Sequence, residues 1–388
     1  MLESDHQRSN TMSPLDKIPA KTGTGSPPPH SPAGAARSWG GIAITAAMLL
    51  ATFAVGLVGG TMATLLTFPL PWMTGSLLIT AALGLSGVPM RSLWQARAAG
   101  QFVTGAAVGT MFTPAILVTI VTLLPAMMVA VVFSLAISAV AALMLMRLGR
   151  LDARTAALAT MPGGVIEMAN VAARVGADHM PILVLQTMRV GLTVCAAPFV
   201  VTWLAEAGAR NVVLDGEAMS WLVVLGLMAV SLAGGLTLNH FALPNSWFLG
   251  SLLTMAALGA LGLIPGRVPE PILVVAQVVI GVSIGTQYKH EFLTRLLRLF
   301  LSSLVTVPFA LVMTALLAAA FSAVLGLPVT TLVLALAPAG IAEMALTGKV
   351  LGLDAALITA FQIVRIVLVI TFAAWTCRLF ERLVAPHA

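Results

Sequence analysis

The sequence contains few charged residues: Asp, Glu, Lys and Arg make up only 9% of its 388 residues, and its mean hydropathy is +1.02. A soluble domain of ordinary composition carries about 25% charged residues, so this composition excludes a soluble globular enzyme. Hydrophobic residues make up 59% of the chain and fall into long apolar runs, many near the roughly 20 residues that a helix needs to cross a bilayer. The alternating segments typical of a β-barrel are lacking. We therefore predict an all-α polytopic membrane protein.

Cysteine and histidine are also scarce. Cys195 and Cys377 lie near the ends of apolar segments, without the spacing of a metal or redox pair, and none of the six His residues pairs with another at a usable spacing. Copper or iron oxygen chemistry needs clusters of such ligands, so we expect no metal, no cofactor and no enzymatic activity. The net charge of +6 is spread thinly over segments that flank the apolar runs. This distribution indicates membrane topology rather than a nucleic-acid partner.

The chain contains an internal duplication, the first feature to look for in any sequence. "WMTGSLLITAALGLSG" (72–87) aligns with "WFLGSLLTMAALGALG" (247–262) at 10 identities in 16 positions. Residues 158–190 align with residues 334–366 at 12 identities in 33 positions. The two halves therefore share one structural plan. The predicted organisation is a disordered cytoplasmic tail at 1–38, membrane repeat 1 at 39–205, a linker at 206–217, membrane repeat 2 at 218–384 and a short tail at 385–388.

Each half contains six apolar segments, and the distribution of basic loops tests whether all six cross the membrane. In the first half the second and fourth loops are basic, whereas in the second half the third loop carries Lys289, Arg295 and Arg298 and the fourth carries no charge. Such a switch requires an odd number of crossings per half. We therefore predict two inverted repeats of about five transmembrane helices each, with a broken or re-entrant helix per repeat and both termini in the cytoplasm. The alternative is that the broken segment spans and another, such as the short second segment, stays in the interface.

The fifth segment of each half carries a helix-breaking motif. The breaks are expected at Pro162, Gly163 and Gly164 in the first half and at Pro338 and Gly340 in the second half. Proline removes a backbone donor and glycine permits non-helical angles. Breaks at corresponding places of two repeats are typical of the midplane site of a transporter. Glu167 and Glu343 follow about one turn later, where the positive end of a half-helix favours a carboxylate.

Further polar residues lie at membrane depth in the last segment of each half. Arg189 and Arg365 lie about ten residues into that segment, where a charge must face the protein interior. Gln186 and Gln362 precede them by one turn on the same face, and Asn170 has no polar counterpart in the second half. We predict that these residues and the two glutamates bind the substrate or coupling ion. A structural ion pair between each Glu and Arg is the other interpretation, and the two are compatible.

The W-x-x-G-S-L-L and P-x-G-x-x-E-M blocks, present in both halves, resemble those of the AbrB-type bacterial membrane proteins. That family is named for a regulator of aidB expression and is often labelled as ammonia monooxygenases. It is similar, distantly, to the cation/proton antiporter and anion transporter superfamily, whose inverted repeats cross discontinuous helices at the substrate site. The resemblance implies secondary transport, although the superfamily's ion-binding Asp pairs have no evident match here.

These observations lead to three hypotheses about function. The first is a secondary transporter of a small, anionic solute, coupled to protons or cations through the paired intramembrane glutamates. The second is a membrane sensor or regulator of gene expression, for which the sequence offers no soluble output module. The third, a monooxygenase, lacks the ligands it needs. We expect a multi-pass protein of the plasma membrane (the inner membrane in a two-membrane bacterium), whose partners are a small-molecule or ion substrate, the lipid bilayer and a second copy in a homodimer.

Overall fold

The computed structural model describes residues 39–206, 217–241, 243–264 and 266–384. The predicted tails, and all but the ends of the predicted linker, lie outside the described residues. Residues from 44 onward belong to one compact unit. The described part is helical apart from turns and one isolated pairing between Ala218 and Arg267. The prediction of an all-α protein is confirmed.

The described residues of the first half form seven helices, which follow the six apolar segments because the fifth segment is divided in two. They are α1 (Trp39–Leu65), α2 (Pro71–Leu85), α3 (Trp94–Gly109), α4 (Pro114–Gly149), α5 (Ala153–Thr160), α6 (Val165–Val175) and α7 (His179–Glu206).

The second half repeats this order with similar helix lengths and one short additional helix, α11. Its helices are α8 (Trp221–His240), α9 (Ser246–Ala260), α10 (Glu270–Gly285), α11 (Glu291–Thr294), α12 (Leu297–Leu325), α13 (Val329–Leu336), α14 (Ile341–Val350) and α15 (Ala355–Val384).

Six of the described helices are long and apolar enough to span a bilayer, namely α1, α4, α7, α8, α12 and α15. Their outward faces carry large apolar side chains that water would not tolerate in such number, for example Leu50, Val132 and Leu222. A contiguous apolar surface of this kind marks a membrane contact. The protein is therefore embedded in a membrane.

Four shorter helices of 15 or 16 residues, α2, α3, α9 and α10, pack closely against one another, α3 on α9 and α2 on α10. The contacts depend on glycine: a Cβ at Gly105 would overlap the Phe248 carbonyl oxygen, and a Cβ at Gly281 would overlap Ser76. Small residues allow helix backbones to approach in this way in membranes. The G-x-x-x-G motifs of α3 and α10 are thus packing surfaces between the two halves of the chain.

The helices of the fifth segments, α5 with α6 and α13 with α14, lie in the core of the unit. The first pair packs against α4, α7 and α15, and the second pair packs against α12, α15 and α7. Long helices from both halves therefore contact each interrupted segment and bury the backbone of its break. This is the environment that non-helical backbone at membrane depth requires.

Candidate functional site

The first interrupted segment is a helical hairpin rather than a broken spanning helix. Nη1 of Arg154, at the start of α5, donates a hydrogen bond to the Val175 carbonyl oxygen at the end of α6 (2.9 Å). The backbone N–H of Asp178, just after α6, donates to Oγ1 of Thr155 (3.0 Å). Since the start and the end of the segment are in contact, the chain enters and leaves on the same side. We refer to α5, its break and α6 as hairpin 1, and to α13, its break and α14 as hairpin 2.

The tip of hairpin 1 is held by two side chains of α7. The Arg189 guanidinium donates from Nη1 to the carbonyl oxygens of Thr160 (3.2 Å) and Met161, and from Nη2 to that of Gly163 (3.0 Å). Nε2 of Gln186 donates to the carbonyl oxygens of Leu158 (2.8 Å) and Met161 (3.1 Å). These oxygens are the acceptors that the end of α5 leaves without helical partners.

The tip of hairpin 2 has the same arrangement, built by α15. Nη1 of Arg365 donates to the carbonyl oxygens of Leu336 (3.1 Å) and Ala337 (2.7 Å), and Nη2 donates to that of Ala339 (3.1 Å). Nε2 of Gln362 bonds the carbonyls of Leu334 (2.8 Å) and Ala337 (3.2 Å), and its Oε1 accepts from Arg365.

Helix geometry agrees with the prediction that both arginines lie at membrane depth. Arg189 is the eleventh residue of α7 and Arg365 the eleventh of α15. At about 1.5 Å per residue, each lies about 15 Å from the start of its helix, half of the roughly 30 Å hydrocarbon layer. A cation here complements the negative C-terminal end of the first half-helix. The arginines and glutamines therefore satisfy the break itself.

Glu167 and Glu343 occupy the third helical position of α6 and α14, and each carboxylate folds back over the glycine that begins its helix. A Cβ at Gly164 would overlap Oε2 of Glu167, and a Cβ at Gly340 would overlap Oε2 of Glu343. Glycine at these two positions thus makes room for the carboxylates at the positive ends of the half-helices.

The two glutamates differ in their partners. Oε1 of Glu343 accepts a hydrogen bond from Nη2 of Arg97 at 2.9 Å, and the Glu343 side chain is only 1% exposed whereas that of Arg97 is 32% exposed. Glu167 is partly buried, and its side chain has no hydrogen bond or ion pair with any described residue. By the repeat, the position equivalent to Arg97 is Leu273. The first-half hairpin therefore lacks the counter-ion that the second-half hairpin has.

The alternative interpretation, an ion pair between each Glu and the Arg of its own half, has no such pair among the described residues. The ion pairs among the described residues are Arg97–Glu343 and Arg154–Glu381. Each break leaves carbonyl oxygens next to the arginine of its own half, and both guanidinium groups donate their hydrogen bonds to these oxygens.

A small cavity lies between the two hairpins and the long helices α4 and α12. Its volume is about 30 Å³, and Arg189 and Pro338 contribute to its wall. Arg189 is 5% exposed, and its Nε–H has no hydrogen-bond partner among the described residues. The other polar groups that line the cavity are hydroxyls, from Ser134, Ser138, Thr160, Ser303, Thr306 and Thr314. Because a water needs about 10–15 Å³ of such volume, the cavity in this conformation admits about two waters and no organic solute.

The bases of the two hairpins lie at opposite ends of α15. Arg154, at the base of hairpin 1, donates from Nε to Oε1 of Glu381 (2.8 Å), one turn from the end of α15. Hairpin 2 ends at Val350, four residues before Asp354, which caps the start of α15 by accepting from the Leu357 N–H (2.9 Å). A 30-residue helix is about 45 Å long, so most of the length of α15 separates the two bases.

The remaining candidates contribute less to this site. Asn170 is exposed on α6, and its side chain has no hydrogen bond with the described residues. Among the described residues, no three His, Cys, Asp or Glu side chains are grouped so that they could hold a metal ion. Sequence reasoning missed Arg97 and the hydroxyls of α4 and α12. The mismatch between Arg97 and Leu273 in the repeat was a signal that could have identified Arg97.

Comparison with known proteins identifies the family. A family model described as "Transition state regulatory protein AbrB" matches residues 72–381. The chain belongs to the AbrB family. A relative in Bacillus subtilis (strain 168), "Uncharacterized protein YhjN", is 28% identical over 363 residues, which cover 85% of this chain and 92% of the relative. Another in Escherichia coli (strain K12), named "Putative regulator AbrB", is 27% identical over 303 residues, covering 77% of this AbrB-family chain and 86% of the relative. No solved structure matches significantly.

Proposed function

We propose that this AbrB-family protein is a secondary transporter of a small anionic solute, and that the solute occupies the cavity beside Arg189. The observation that carries the proposal is the position of this cavity. It lies between two helix breaks at membrane depth and combines a buried guanidinium that has an unused Nε–H donor with six hydroxyl groups. Charge-assisted hydrogen bonds from a guanidinium favour carboxylate, sulfate or phosphate groups.

The small volume of the cavity fits one stage of a transport cycle. A cavity of about 30 Å³ must widen before a solute enters. The hairpin tips are the elements that can move, because each is attached to its neighbouring long helix by side-chain hydrogen bonds and not by continuous helix. Rocking of one hairpin against the other would open the cavity to one side at a time.

The arrangement of the hairpins supports inverted repeats in a bacterial inner membrane with both termini in the cytoplasm. Their bases lie at opposite ends of α15, as opposite directions of entry require. Reporter domains inserted after Arg150 and after Gly326, which end α4 and α12 respectively, test this topology. We expect the first reporter in the cytoplasm and the second outside; the same side for both would contradict inversion.

Glu167 is the better candidate for the coupling group. Arg97 already compensates Glu343, whereas Glu167 has no described counter-ion and can take up a proton or a cation without breaking an ion pair. The inequality between the glutamates thus supports a coupling role for hairpin 1 and a fixed charge in hairpin 2.

The decisive experiment combines ligand binding with transport. Purified protein is melted with a panel of organic and inorganic anions, amines and sodium, and anions that stabilise it are tested for uptake into proteoliposomes. A ligand at 100 times its Kd stabilises by about 2.7 kcal/mol. We expect Ser303→Ala/Thr314→Val, which changes only hydroxyls of the cavity, to reduce both the stabilisation and the uptake.

The matched control is Ser86→Ala/Thr371→Val, which removes one Ser and one Thr hydroxyl at exposed positions. An equal loss of stabilisation and uptake in both double variants would show that the ligand does not bind in the cavity. Absence of uptake for every stabilising anion would reject transport.

A second function, regulation of gene expression, is favoured by the names of the matched family model and of the Escherichia coli relative. A membrane regulator acts through a partner, so the discriminating experiment is purification from the native membrane at low detergent. A stoichiometric cytoplasmic partner, retained when the cavity hydroxyls are removed, would favour regulation over transport.

A further inference from the structure

A second polar cavity, separate from the one between the hairpin tips, lies where the base of hairpin 1 meets the end of α15. Its volume is about 380 Å³, within the range of cavities that hold small ligands. Four arginines and one glutamate line it, namely Arg154, Arg174, Arg378, Arg382 and Glu381, and Cys377 contributes to the wall.

Three helices supply these side chains. Arg154 lies in the first turn of α5 and Arg174 in the last turn of α6, so both ends of hairpin 1 contribute. Arg378 and Arg382 are four residues apart on α15, which places them on one helix face. The fold therefore brings together arginines that are up to 228 positions apart in the sequence.

The charges in this cavity are not balanced. Arg154 is paired with Glu381 at 2.8 Å and also donates to the Val175 carbonyl oxygen. The hydrogen bond with Glu381 raises the pKa of the Arg154 guanidinium above its ordinary value. No described residue forms a hydrogen bond or ion pair with the side chains of Arg174, Arg378 or Arg382. Four guanidinium groups against one carboxylate leave a net charge of +3 around one cavity, and like charges gathered in a concave site attract anions.

We propose that this cavity binds a phosphate group. The guanidinium fork offers two parallel donors that match phosphate oxygens, and three forks without a protein acceptor suit a multiply charged oxyanion better than a single carboxylate. The group comes either from a free phosphate compound of the cytoplasm or from the headgroup of an anionic phospholipid, since basic pockets at the cytoplasmic ends of membrane helices bind such headgroups.

Occupancy of this site would affect hairpin 1. Arg174 belongs to α6, whereas Arg378 and Arg382 belong to α15, so a phosphate that contacts both would attach the moving segment to a long helix. The existing contact through Arg154 and Glu381 already joins the same two parts. The bound phosphate thus fixes the base of the hairpin, a control point separate from the cavity at its tip.

The test uses the full-length protein and three probes: inorganic pyrophosphate, phosphatidylglycerol and phosphatidylcholine. Calorimetry in detergent measures the binding of pyrophosphate, and mixed micelles supply the two lipids for the binding measurement. We expect saturable binding of pyrophosphate or phosphatidylglycerol and none of phosphatidylcholine, whose phosphate is neutralised by choline. Arg174→Gln/Arg382→Gln should lower the affinity at least tenfold. Binding of pyrophosphate indicates a soluble ligand, and binding of phosphatidylglycerol alone indicates a headgroup.

The matched control is Arg147→Gln/Arg295→Gln, which removes two exposed arginines that do not line the cavity. An equal loss of affinity in this control would show that general surface charge, not the cavity, attracts the anion. Binding of none of the probes, or equal binding of phosphatidylcholine, would overturn the proposal. If the first double variant melts early, Arg174→Lys/Arg382→Lys replaces it: it keeps the charge but loses the fork, so unchanged affinity would contradict recognition by the guanidinium groups.

Discussion

The ion pair between Arg97 and Glu343 makes a quantitative prediction, because its two members are buried to different extents. Removal of one partner from a buried pair costs about 3–5 kcal/mol, since the other charge stays buried without compensation. Glu343 is 1% exposed, so Arg97→Leu, which copies the residue at the equivalent position 273, should cost about 3 kcal/mol. Arg97 is 32% exposed, so Glu343→Gln leaves a charge that water can reach and should cost only about 1 kcal/mol.

The double variant Arg97→Leu/Glu343→Gln separates this explanation from simple loss of packing. Once the carboxylate is neutral, removal of Arg97 leaves no uncompensated charge, so the double variant should cost little more than Glu343→Gln alone. The coupling free energy is then about 2–3 kcal/mol. The exposed pair Arg154–Glu381, with exposures of 44% and 33%, should give a coupling below about 1 kcal/mol in the same kind of cycle.

The assay is thermal unfolding of the four proteins in one detergent, with melting followed by tryptophan fluorescence. A destabilisation of 1 kcal/mol lowers Tm by about 2–4 °C in domains of 150–250 residues, so the expected difference between the two single variants is several degrees. If the two single variants melted at the same temperature, or if their effects simply added in the double variant, the argument from unequal burial would be refuted.

Three further variants test the hairpin tips. Gly340→Ala should destabilise the protein more than Gly164→Ala in the same melting assay. In each variant the new Cβ would displace a carboxylate, and only the carboxylate of hairpin 2 is held by an ion pair. Equal effects would contradict this explanation. Arg365→Met leaves the carbonyls of the second break with fewer donors and should lower the free energy of unfolding by about 2–5 kcal/mol. If the variant were as stable as the wild type, Arg365 would not be needed to satisfy the break and a role in binding would be favoured. Glu167→Gln should change the free energy of unfolding by less than about 1 kcal/mol while abolishing the dependence of uptake on the proton or cation gradient, and preserved coupling would transfer that role to Glu343.

Much of the fold was readable from the sequence because the relevant signals are local. A Pro-x-Gly motif interrupts a helix wherever it occurs in an apolar segment, and the breaks after Thr160 and after Leu336 fall where the motif predicts. Because the chain is duplicated, each of these signals occurs twice. The choice of a hairpin over a spanning segment came from the charges of distant loops, and in the first half the contact of Arg154 with Val175 agrees with that choice.

The partners of the charged residues were not readable, because they depend on contacts between distant parts of the chain. Two opposite charges at one depth suggested an ion pair within each half, yet Arg189 and Arg365 bond the carbonyl oxygens of the adjacent break, which would otherwise be unsatisfied. Arg97 is 246 positions from Glu343, and as one basic residue near a loop it carried only the general signal of membrane topology.

The contrast between the two tips separates structural requirements from functional ones. The hydrogen bonds of Arg189 and Arg365 to the break are the same in both halves, because any interrupted helix in a membrane must satisfy its orphan carbonyls. Nothing in that requirement concerns the carboxylates, and it is there that the halves differ: Glu343 has Arg97, whereas Glu167 has no ion pair with a described residue and the repeat position equivalent to Arg97 holds Leu273. If both glutamates served only to complement their half-helices, the counter-ion would be needed at both tips or at neither. We therefore propose hairpin 1, whose base contributes Arg154 and Arg174 to the arginine cluster, as the place of the solute- or ion-dependent step.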